Sequence, residues 1–385
     1  MNKSFSGANL SNIKEMNISA VLKTIYEKKG ISRIDIAAST EMSCAFVTKV
    51  LTKLTEEGIV LESGNSANDR GRPKVSLEFN YEKYVMVGLR INASYVSSAL
   101  CVSSGDLLCH YSIDIDKNGS GVDVYNKCVR VVKKALECCE DKKILGIGIA
   151  APGPIPVEHD RVTALTRSNL KDFGDIMLKE RLQREFGLPV TLLHDAHCGA
   201  LNEYVFGEEE RYRNIVFIAS DNGIGAGIIL DGKPYNGSGG LAGEISHMIL
   251  GYDGRFATLN SMISYDEIKT KCNCGSFDEV VSRVGEGNEE CCIFYDRILR
   301  YLSVAAANFV TTVSPQAIVI SDKIALHPDR VSKVCNETLD EILPKEYRDS
   351  FELIVRPYSK HSVLRGACGA VLNRAFDEPS KYFLK

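Results

Sequence analysis

Residues 43–54 combine a small, polar face with an apolar face at helical spacing. The polar side begins at Ser43 and continues with Cys44, Ala45, Thr48 and Lys49. The other side is an inner stripe of Val47, Val50, Leu51 and Leu54. Small polar side chains at the start of an exposed helix can approach base edges in the major groove of DNA. We predict that Ser43, Cys44, Ala45, Thr48 and Lys49 make such contacts.

A second segment with suitable chemistry is the polar loop from Ser63 to Pro73. It contains two arginines in the run Asp69-Arg70-Gly71-Arg72-Pro73. A Gly-Arg-Pro sequence favours extended backbone. An arginine presented in this way can enter a narrow, electronegative minor groove. We predict DNA contacts from Arg70, Gly71, Arg72 and Pro73.

The elements around these residues are typical of a winged helix-turn-helix. An apolar repeat (Ile18, Val21, Leu22, Ile25) predicts a helix over 18–28, which Gly30 ends. Ser32, with Asp35 three residues later, can cap a second helix, and Ser43 can cap the third. A plain three-helix bundle has the same periodicity. The strands predicted on both sides of the arginine loop, at 59–61 and 75–78, favour a hairpin wing and therefore DNA binding.

Composition limits the remaining possibilities. The chain has 385 residues, which suggests two or three domains, and its 44% hydrophobic and 25% charged residues are ordinary for a soluble protein. No apolar run approaches the roughly 18 residues that span a bilayer, and the N-terminus has no secretory signal. We therefore expect a cytoplasmic protein whose thirteen cysteines are reduced thiols. The net charge of −4 conceals a slightly basic segment over residues 1–80, which permits a DNA-binding module there.

From residue 84 onward the pattern is α/β and occurs twice. Strands are predicted at 85–92, 95–103 and 107–115, a helix at about 121–139, a strand at 144–150, a helix at about 175–186 and a strand at 188–193. A similar order restarts near residue 214. Two tandem βββαβα halves predict an actin-like, two-lobed sugar-kinase fold with its ligand in the cleft between the lobes. The expected domains are 1–80 (winged helix-turn-helix), 81–200 (first lobe) and 201–385 (second lobe), with the C-terminal helix packed back on the first lobe.

The sequence resembles the ROK family (repressors, open reading frames and kinases), in particular its xylose- and N-acetylglucosamine-type repressors. The resemblance covers nearly the whole chain. Its most specific part is NGIGAGIILDGKPYNGSGGLAGEISHM, from Asn222 to Met248, and further support comes from GIGIAAPGP, LPVTLLHDAHCGALNE and RGRPKVSLEF.

The resemblance implies that ATP chemistry has been lost. Kinases of the family have Asp-x-Gly-Gly-Thr after the first strand, whereas this chain has Arg90-Ile91-Asn92-Ala93-Ser94. The acidic residue has become arginine, and both glycines that allow backbone to approach phosphate carry side chains. The second glycine loop, from Asn222 to Gly227, is retained and would also serve as a tight turn. We therefore predict no enzymatic activity and no catalytic residues.

The resemblance also implies a set of sugar contacts. Asp195 corresponds to the catalytic base of the family, and Asn169, Glu244 and His247 correspond to its sugar-binding residues. His194 stands where an asparagine normally touches the sugar. We expect Asn169, His194, Asp195, Glu244 and His247 to bind the effector, because carboxylates accept strong hydrogen bonds from sugar hydroxyls. Ordinary structural hydrogen bonds are the alternative for Asp195 and Glu244.

A zinc site, common in the family, is not expected. The family pairs the histidine of Gly-x-His with a cysteine cluster about ten residues later, whereas Cys272 follows His247 by 25. Residues 258–264 match the segment that follows the cluster in the family, so the knuckle is deleted and its sugar-contacting glutamate has become Asn260. In a rival alignment residues 251–271 are an insertion, and Cys272 and Cys274 remain ligands. We predict no metal and no other cofactor.

Three functions remain open at this stage. The first is a repressor of carbohydrate genes whose binding to operator DNA responds to a sugar or sugar phosphate. The second is an ATP-dependent sugar kinase, which the degenerate first phosphate loop opposes. The third is a ligand-independent DNA-binding scaffold. The retained Asp195, Glu244 and His247 argue against it. We expect the first, acting as a homodimer or homotetramer on an inverted repeat.

Overall fold

The computed structural model describes residues 10–66, 74–92, 94–116, 119–153, 155, 176–207, 212–220, 223–252 and 254–384. Its first module comprises α1 (Leu10–Glu27), α2 (Arg33–Thr40), α3 (Cys44–Glu56), β1 (Val60–Ser66) and β2 (Lys74–Phe79). α1 begins before the predicted position. Ile13 and Met16 in its first turns are exposed and add nothing to the inner stripe that marked the helix in the sequence.

Serine caps set the starts of α2 and α3, as predicted. The Asp35 N–H donates to Ser32 Oγ, and the Phe46 N–H donates to Ser43 Oγ, both at 3.3 Å. The inner stripe of α3 is buried against α1 and α2. β1 and β2 pair antiparallel, and Ile31 forms a bridge to Leu77 that holds the hairpin beside the helices. The predicted winged helix-turn-helix is confirmed.

The described part of the first lobe contains a five-stranded sheet and two helices that lie between its strands in the chain. Its strands are β3 (Tyr84–Ile91), β4 (Tyr95–Val102), β5 (Leu107–Asp114), β6 (Lys143–Ala151) and β7 (Val190–His194), in the order β5-β4-β3-β6-β7. β3, β4 and β5 are antiparallel, whereas β6 and β7 run parallel to β3. α4 (Gly121–Leu136) lies between β5 and β6 in the chain, and α5 (Leu178–Phe186) lies between β6 and β7. Every residue of β3 is buried, as expected for a central strand.

The second lobe repeats this arrangement. Its strands are β8 (Ile215–Ser220), β9 (Ile224–Leu230), β10 (Lys233–Pro234), β11 (Ile249–Tyr252), β12 (Arg255–Thr258), β13 (Ala317–Asp322) and β14 (Glu352–Val355). The main sheet has the order β10-β9-β8-β13-β14, with β13 and β14 parallel to β8. β11 and β12 form a separate hairpin that the sequence pattern did not predict. The duplication is confirmed.

The remaining helices surround these sheets. They are α6 (Asp195–Phe206), α7 (Leu259–Met262), α8 (Tyr265–Cys272), α9 (Phe277–Gly285), α10 (Glu289–Val313), α11 (Pro328–Ile342), α12 (Lys345–Arg348), α13 (Ser362–Asp377) and α14 (Pro379–Tyr382). Among the described helices none is long and apolar enough to cross a membrane.

α13 packs closely on the first lobe and on α6. A Cβ on Gly148 of β6 would lie 1.9 Å from the Ala367 carbonyl oxygen, and one on Gly366 would lie 1.7 Å from the Cys198 carbonyl oxygen. Only glycine permits such backbone contacts. One apolar cluster runs from the winged module through α13 to the inner faces of both lobes, so the module is packed against the lobes as well as linked to them.

Candidate nucleic-acid interface and interlobe site

The outer face of α3 is exposed, whereas its inner stripe is buried. Ser43, Cys44, Ala45, Thr48 and Lys49 are all solvent-exposed. The Thr48 hydroxyl donates to the Cys44 carbonyl oxygen at 2.8 Å, so its methyl group and oxygen lone pairs remain to contact other groups. A methyl group and a hydrogen-bond acceptor can contact the thymine methyl and the exocyclic amino group of a neighbouring base. Base contact by these five residues stays a prediction.

The wing can be described only at its base. Ser66 at the end of β1 pairs with Lys74 at the start of β2. Arg70, Gly71, Arg72 and Pro73, predicted to enter the minor groove, lie outside the described residues.

Three of the predicted effector residues meet at Gly153, just after β6. A Cβ on Gly153 would lie 2.6 Å from His194 Cδ2 and 2.7 Å from Glu244 Oε1. His194 Nε2 in turn lies 3.1 Å from Asp195 Oδ1. The end of β6, the start of α6 and the segment before His247 therefore bring His194, Asp195 and Glu244 to one point between the lobes. All three are half-buried, which leaves them accessible to a small ligand.

Backbone geometry fixes the position of Glu244. The preceding Gly243 has φ = +92°, and its carbonyl oxygen accepts a 2.8 Å hydrogen bond from the Ala226 N–H in β9. A Cβ on Gly243 would lie 1.9 Å from the Ala226 carbonyl oxygen, so this position requires glycine. His247 ends the 3-10 turn that follows Glu244 and is exposed. Asn169 lies outside the described residues.

The turn after β3, where kinases of this type bind phosphate, is occupied by an asparagine side chain. Asn92 Oδ1 accepts hydrogen bonds from the N–H groups of Ser94 and Tyr95, both at 2.8 Å. These N–H groups are of the kind that bind phosphate in a glycine loop. Asn92 and Arg90 are themselves almost fully buried. Two N–H groups at this turn are therefore hydrogen-bonded to a side chain of the turn itself.

One glycine of the second loop, Gly227, has a packing role. Gly223 lies between β8 and β9, whereas Gly225 and Gly227 lie within β9 and face α6. A Cβ on Gly227 would lie 2.0 Å from the Ala196 carbonyl oxygen, and one on Gly225 would lie 3.5 Å from His194 Cε1. Gly227 therefore lets β9 approach the first turn of α6, and close packing accounts for this glycine without a bound phosphate, whereas a Cβ on Gly225 would make only ordinary contact.

The cysteines considered for zinc lie in the core of the second lobe. Cys272 and Cys274 are buried beside Cys291, and Cys274 Sγ lies 3.9 Å from Cys291 Sγ. Burial raises the pKa of Cys274 to about 11, so this thiol stays protonated at neutral pH. Within the described part of the chain, no group of three His, Cys, Asp or Glu side chains is arranged to hold a metal ion. Asn260 is exposed on α7.

An aromatic cluster joins the winged module to the lobes. Its rings have centroid separations of 4.9 to 6.0 Å and belong to Tyr26, Phe79, Tyr81, Tyr84, Phe376 and Phe383. The Tyr26 hydroxyl donates to the Ser103 carbonyl oxygen at 2.8 Å, and Lys23 forms an ion pair with Asp377. The C-terminal half of α13 therefore contacts the DNA-binding module, and its N-terminal half contacts α6, which begins at Asp195.

These features define a class of protein, a winged helix-turn-helix packed on a duplicated, two-lobed fold of the sugar-kinase type. Residues 122–374 match the model of the ROK family, and the chain belongs to that family.

Comparisons with individual proteins agree with this assignment. The chain is 27% identical over 359 residues to the xylose repressor of Caldicellulosiruptor bescii, covering 86% of this chain and 88% of that protein. The crystal structure of a ROK family transcriptional regulator, a homologue of the Escherichia coli MLC protein, superimposes with a TM-score of 0.78 at 24% identity and covers 95% of this chain and 97% of that one.

A ROK glucokinase from Streptomyces griseus, solved with glucose and AMPPNP, has a TM-score of 0.60 at 18% identity. The match covers 98% of that enzyme but only 74% of this chain. The regulator and the glucokinase therefore share the two-lobed fold, and the larger coverage of this chain by the regulator agrees with a fold that includes the winged module.

Proposed function

We propose that the protein is a sugar-responsive transcriptional repressor of carbohydrate genes. α3 and the wing would bind operator DNA in the cytoplasm, and the site at Gly153 would bind the sugar. The observation that carries this proposal is the packing of a winged module, with the outer face of its α3 exposed, onto sugar-kinase lobes whose first phosphate turn is bonded internally. The repressors among its relatives support the same function.

Kinase activity is the second candidate, because enzymes share the lobes. A kinase must bind the phosphates of ATP through backbone N–H groups. It must also hold a metal ion through an acidic residue. Here Asn92 Oδ1 takes up two N–H groups of the turn, and Arg90 stands in the acidic position. A positive side chain in that place disfavours the metal. We therefore expect no sugar-dependent ATP turnover in a coupled assay with D-glucose, D-xylose or N-acetylglucosamine; turnover abolished by Asp195→Asn would contradict this expectation.

The chemistry of the site favours a sugar bound through its hydroxyl groups. Asp195 and Glu244 both present carboxylate oxygens beside His194. Carboxylates accept hydrogen bonds from hydroxyl groups, whereas two of them repel a nearby phosphate. Neutral sugars are therefore better candidates for the effector than sugar phosphates.

Coupling between the two sites would run through α6 and α13. α6 begins at Asp195 and packs on α13 by direct backbone contact at Gly366. α13 ends at the aromatic cluster, where the ring centroids of Phe376 and Tyr26 of α1 are 4.9 Å apart. A sugar that shifts the start of α6 would thereby change the position of the module. In a homodimer or homotetramer this changes the spacing of two recognition helices, on which binding to an inverted repeat depends.

The test has two steps. Tag-free protein selects duplexes from a random DNA library, and we expect an inverted repeat in the selected sequences. Fluorescence anisotropy then measures the Kd for the selected duplex with and without D-xylose, D-glucose, N-acetylglucosamine or N-acetylglucosamine 6-phosphate, at one fixed salt concentration. We expect one neutral sugar to change this Kd. Selection of no sequence would contradict the DNA-binding proposal. DNA binding that none of the sugars changes would favour the ligand-independent scaffold.

A further inference from the structure

His197 forms a hydrogen bond to a loop that leads to the effector site. It lies on α6, three residues after His194, and is 2% exposed. Its Nε2 is 2.9 Å from the carbonyl oxygen of Tyr235. Because a carbonyl can only accept, Nε2 carries the proton and donates it to this bond. Burial lowers the pKa of His197 to about 4, so the ring stays neutral at physiological pH.

The bond connects α6 to the segment that delivers Glu244. Tyr235 begins that segment, and its N–H donates to the Ile228 carbonyl oxygen of β9 at 2.8 Å. Gly243 ends it and accepts from Ala226, also in β9. The loop from Tyr235 to Gly243 is thus held to β9 at both ends. The bond from His197 adds a link to the helix that carries Asp195.

We propose that His197 is a positioning residue of the effector site, which holds the 235–243 loop on α6 so that Glu244 stands opposite His194 and Asp195. This proposal rests on the proposed function, since it treats these three residues as the sugar site. The sequence signal was weak: a histidine one helical turn after His194 predicts nothing about a loop 38 residues away.

The geometry makes the position of the loop critical. The Glu244 and His194 side chains both lie close to Gly153, and both must lie within hydrogen-bonding distance of one small ligand. Hydrogen bonds weaken steeply outside about 2.7–3.2 Å. A displacement of Glu244 by about 1 Å would therefore lose its bond to a sugar hydroxyl while leaving the fold intact.

Hydrogen–deuterium exchange tests the link without any ligand. In the full-length protein we expect His197→Ala to speed exchange of the peptide covering residues 235–244. His197→Gln should restore slow exchange, because a glutamine amide nitrogen can donate from the Nε2 position. His327→Ala is the matched control: its Nε2 donates to the Val281 carbonyl oxygen at 2.8 Å elsewhere in the second lobe. Unchanged exchange in His197→Ala would overturn the proposal. Equally fast exchange in His197→Gln would also overturn it, because lost packing would then be the cause.

Calorimetric titration with D-xylose, D-glucose and N-acetylglucosamine tests the consequence. For any sugar that wild type binds, we expect His197→Ala to weaken the affinity by about tenfold, the effect of roughly one lost hydrogen bond. His197→Gln and His327→Ala should stay close to wild type. Wild-type affinity in the His197→Ala variant would overturn the positioning role. If wild type bound none of the three sugars, the proposed effector would be wrong, and the exchange result would still decide whether His197 holds the loop.

Discussion

Replacing Gly153 with alanine should weaken sugar binding without unfolding the protein. The new Cβ would lie 2.6 Å from His194 Cδ2, 2.8 Å from His194 Nε2 and 2.7 Å from Glu244 Oε1. Ordinary contact needs about 3.5 Å, so both side chains must retreat by about 0.8 Å. Both are side chains rather than backbone, so they can move, but their bonds to one ligand would lengthen beyond the useful range. We expect the Kd for the responsive sugar, measured by calorimetry, to rise tenfold or more, about 1.4 kcal/mol.

Gly251→Ala provides the matched control, since a Cβ at that position would meet nothing within 4 Å. It should leave sugar affinity unchanged. The Gly153→Ala variant should still bind the selected DNA duplex with wild-type affinity in the absence of sugar, because the side chains that the new Cβ would displace, His194 and Glu244, belong to the lobes. Unchanged sugar binding by Gly153→Ala would refute the assignment of the effector site to His194 and Glu244.

Four other substitutions test separate parts of the account. Arg72→Ala should weaken binding to duplexes with A·T-rich flanks, and Lys49→Ala should reduce the ratio of specific to random DNA affinity. If the variants and wild type had the same Kd values for these duplexes, measured by anisotropy at matched salt, the contacts would be contradicted. Phe376→Leu, at the junction with Tyr26, should reduce the effect of sugar on DNA affinity while both separate affinities persist; an undiminished effect would exclude this route. Asp322 has φ = +71° and ψ = −155°, a conformation that favours glycine, so Asp322→Gly should raise the free energy of unfolding in urea by about 1 kcal/mol; a decrease would show that the Asp322 side chain compensates for the strain.

Local patterns were enough to predict the main elements. The inner stripe of α3, the caps Ser32 and Ser43 and the strands of both lobes depend on neighbours in sequence, so periodicity and capping chemistry suffice. The hairpin β11–β12 was missed. Its strands have four residues each, and the apolar Ile249 and Phe256 are exposed on it, so apolar residues do not mark a buried face there.

The candidate site depended on tertiary contacts. Gly153, His194 and Glu244 are far apart in sequence and meet only because β6, α6 and β9 converge. The resemblance to the family supplied His194, Asp195 and Glu244, but it gave no role to Gly153 or His197. Likewise the sequence showed which side chains replace the glycines of the first phosphate turn, but not that Asn92 accepts two hydrogen bonds from the backbone of that turn.

The central claim is that sugar binding at Glu244 alters DNA binding by the winged module. The most direct measurement is the anisotropy Kd for the selected duplex, with and without saturating D-xylose, D-glucose or N-acetylglucosamine, in wild type and in Glu244→Gln. We predict that one sugar changes the wild-type Kd at least tenfold, about 1.4 kcal/mol of coupling, and that Glu244→Gln loses this response while it still binds DNA. A wild-type Kd that no sugar changes, or a Glu244→Gln variant with the full response, would contradict the account.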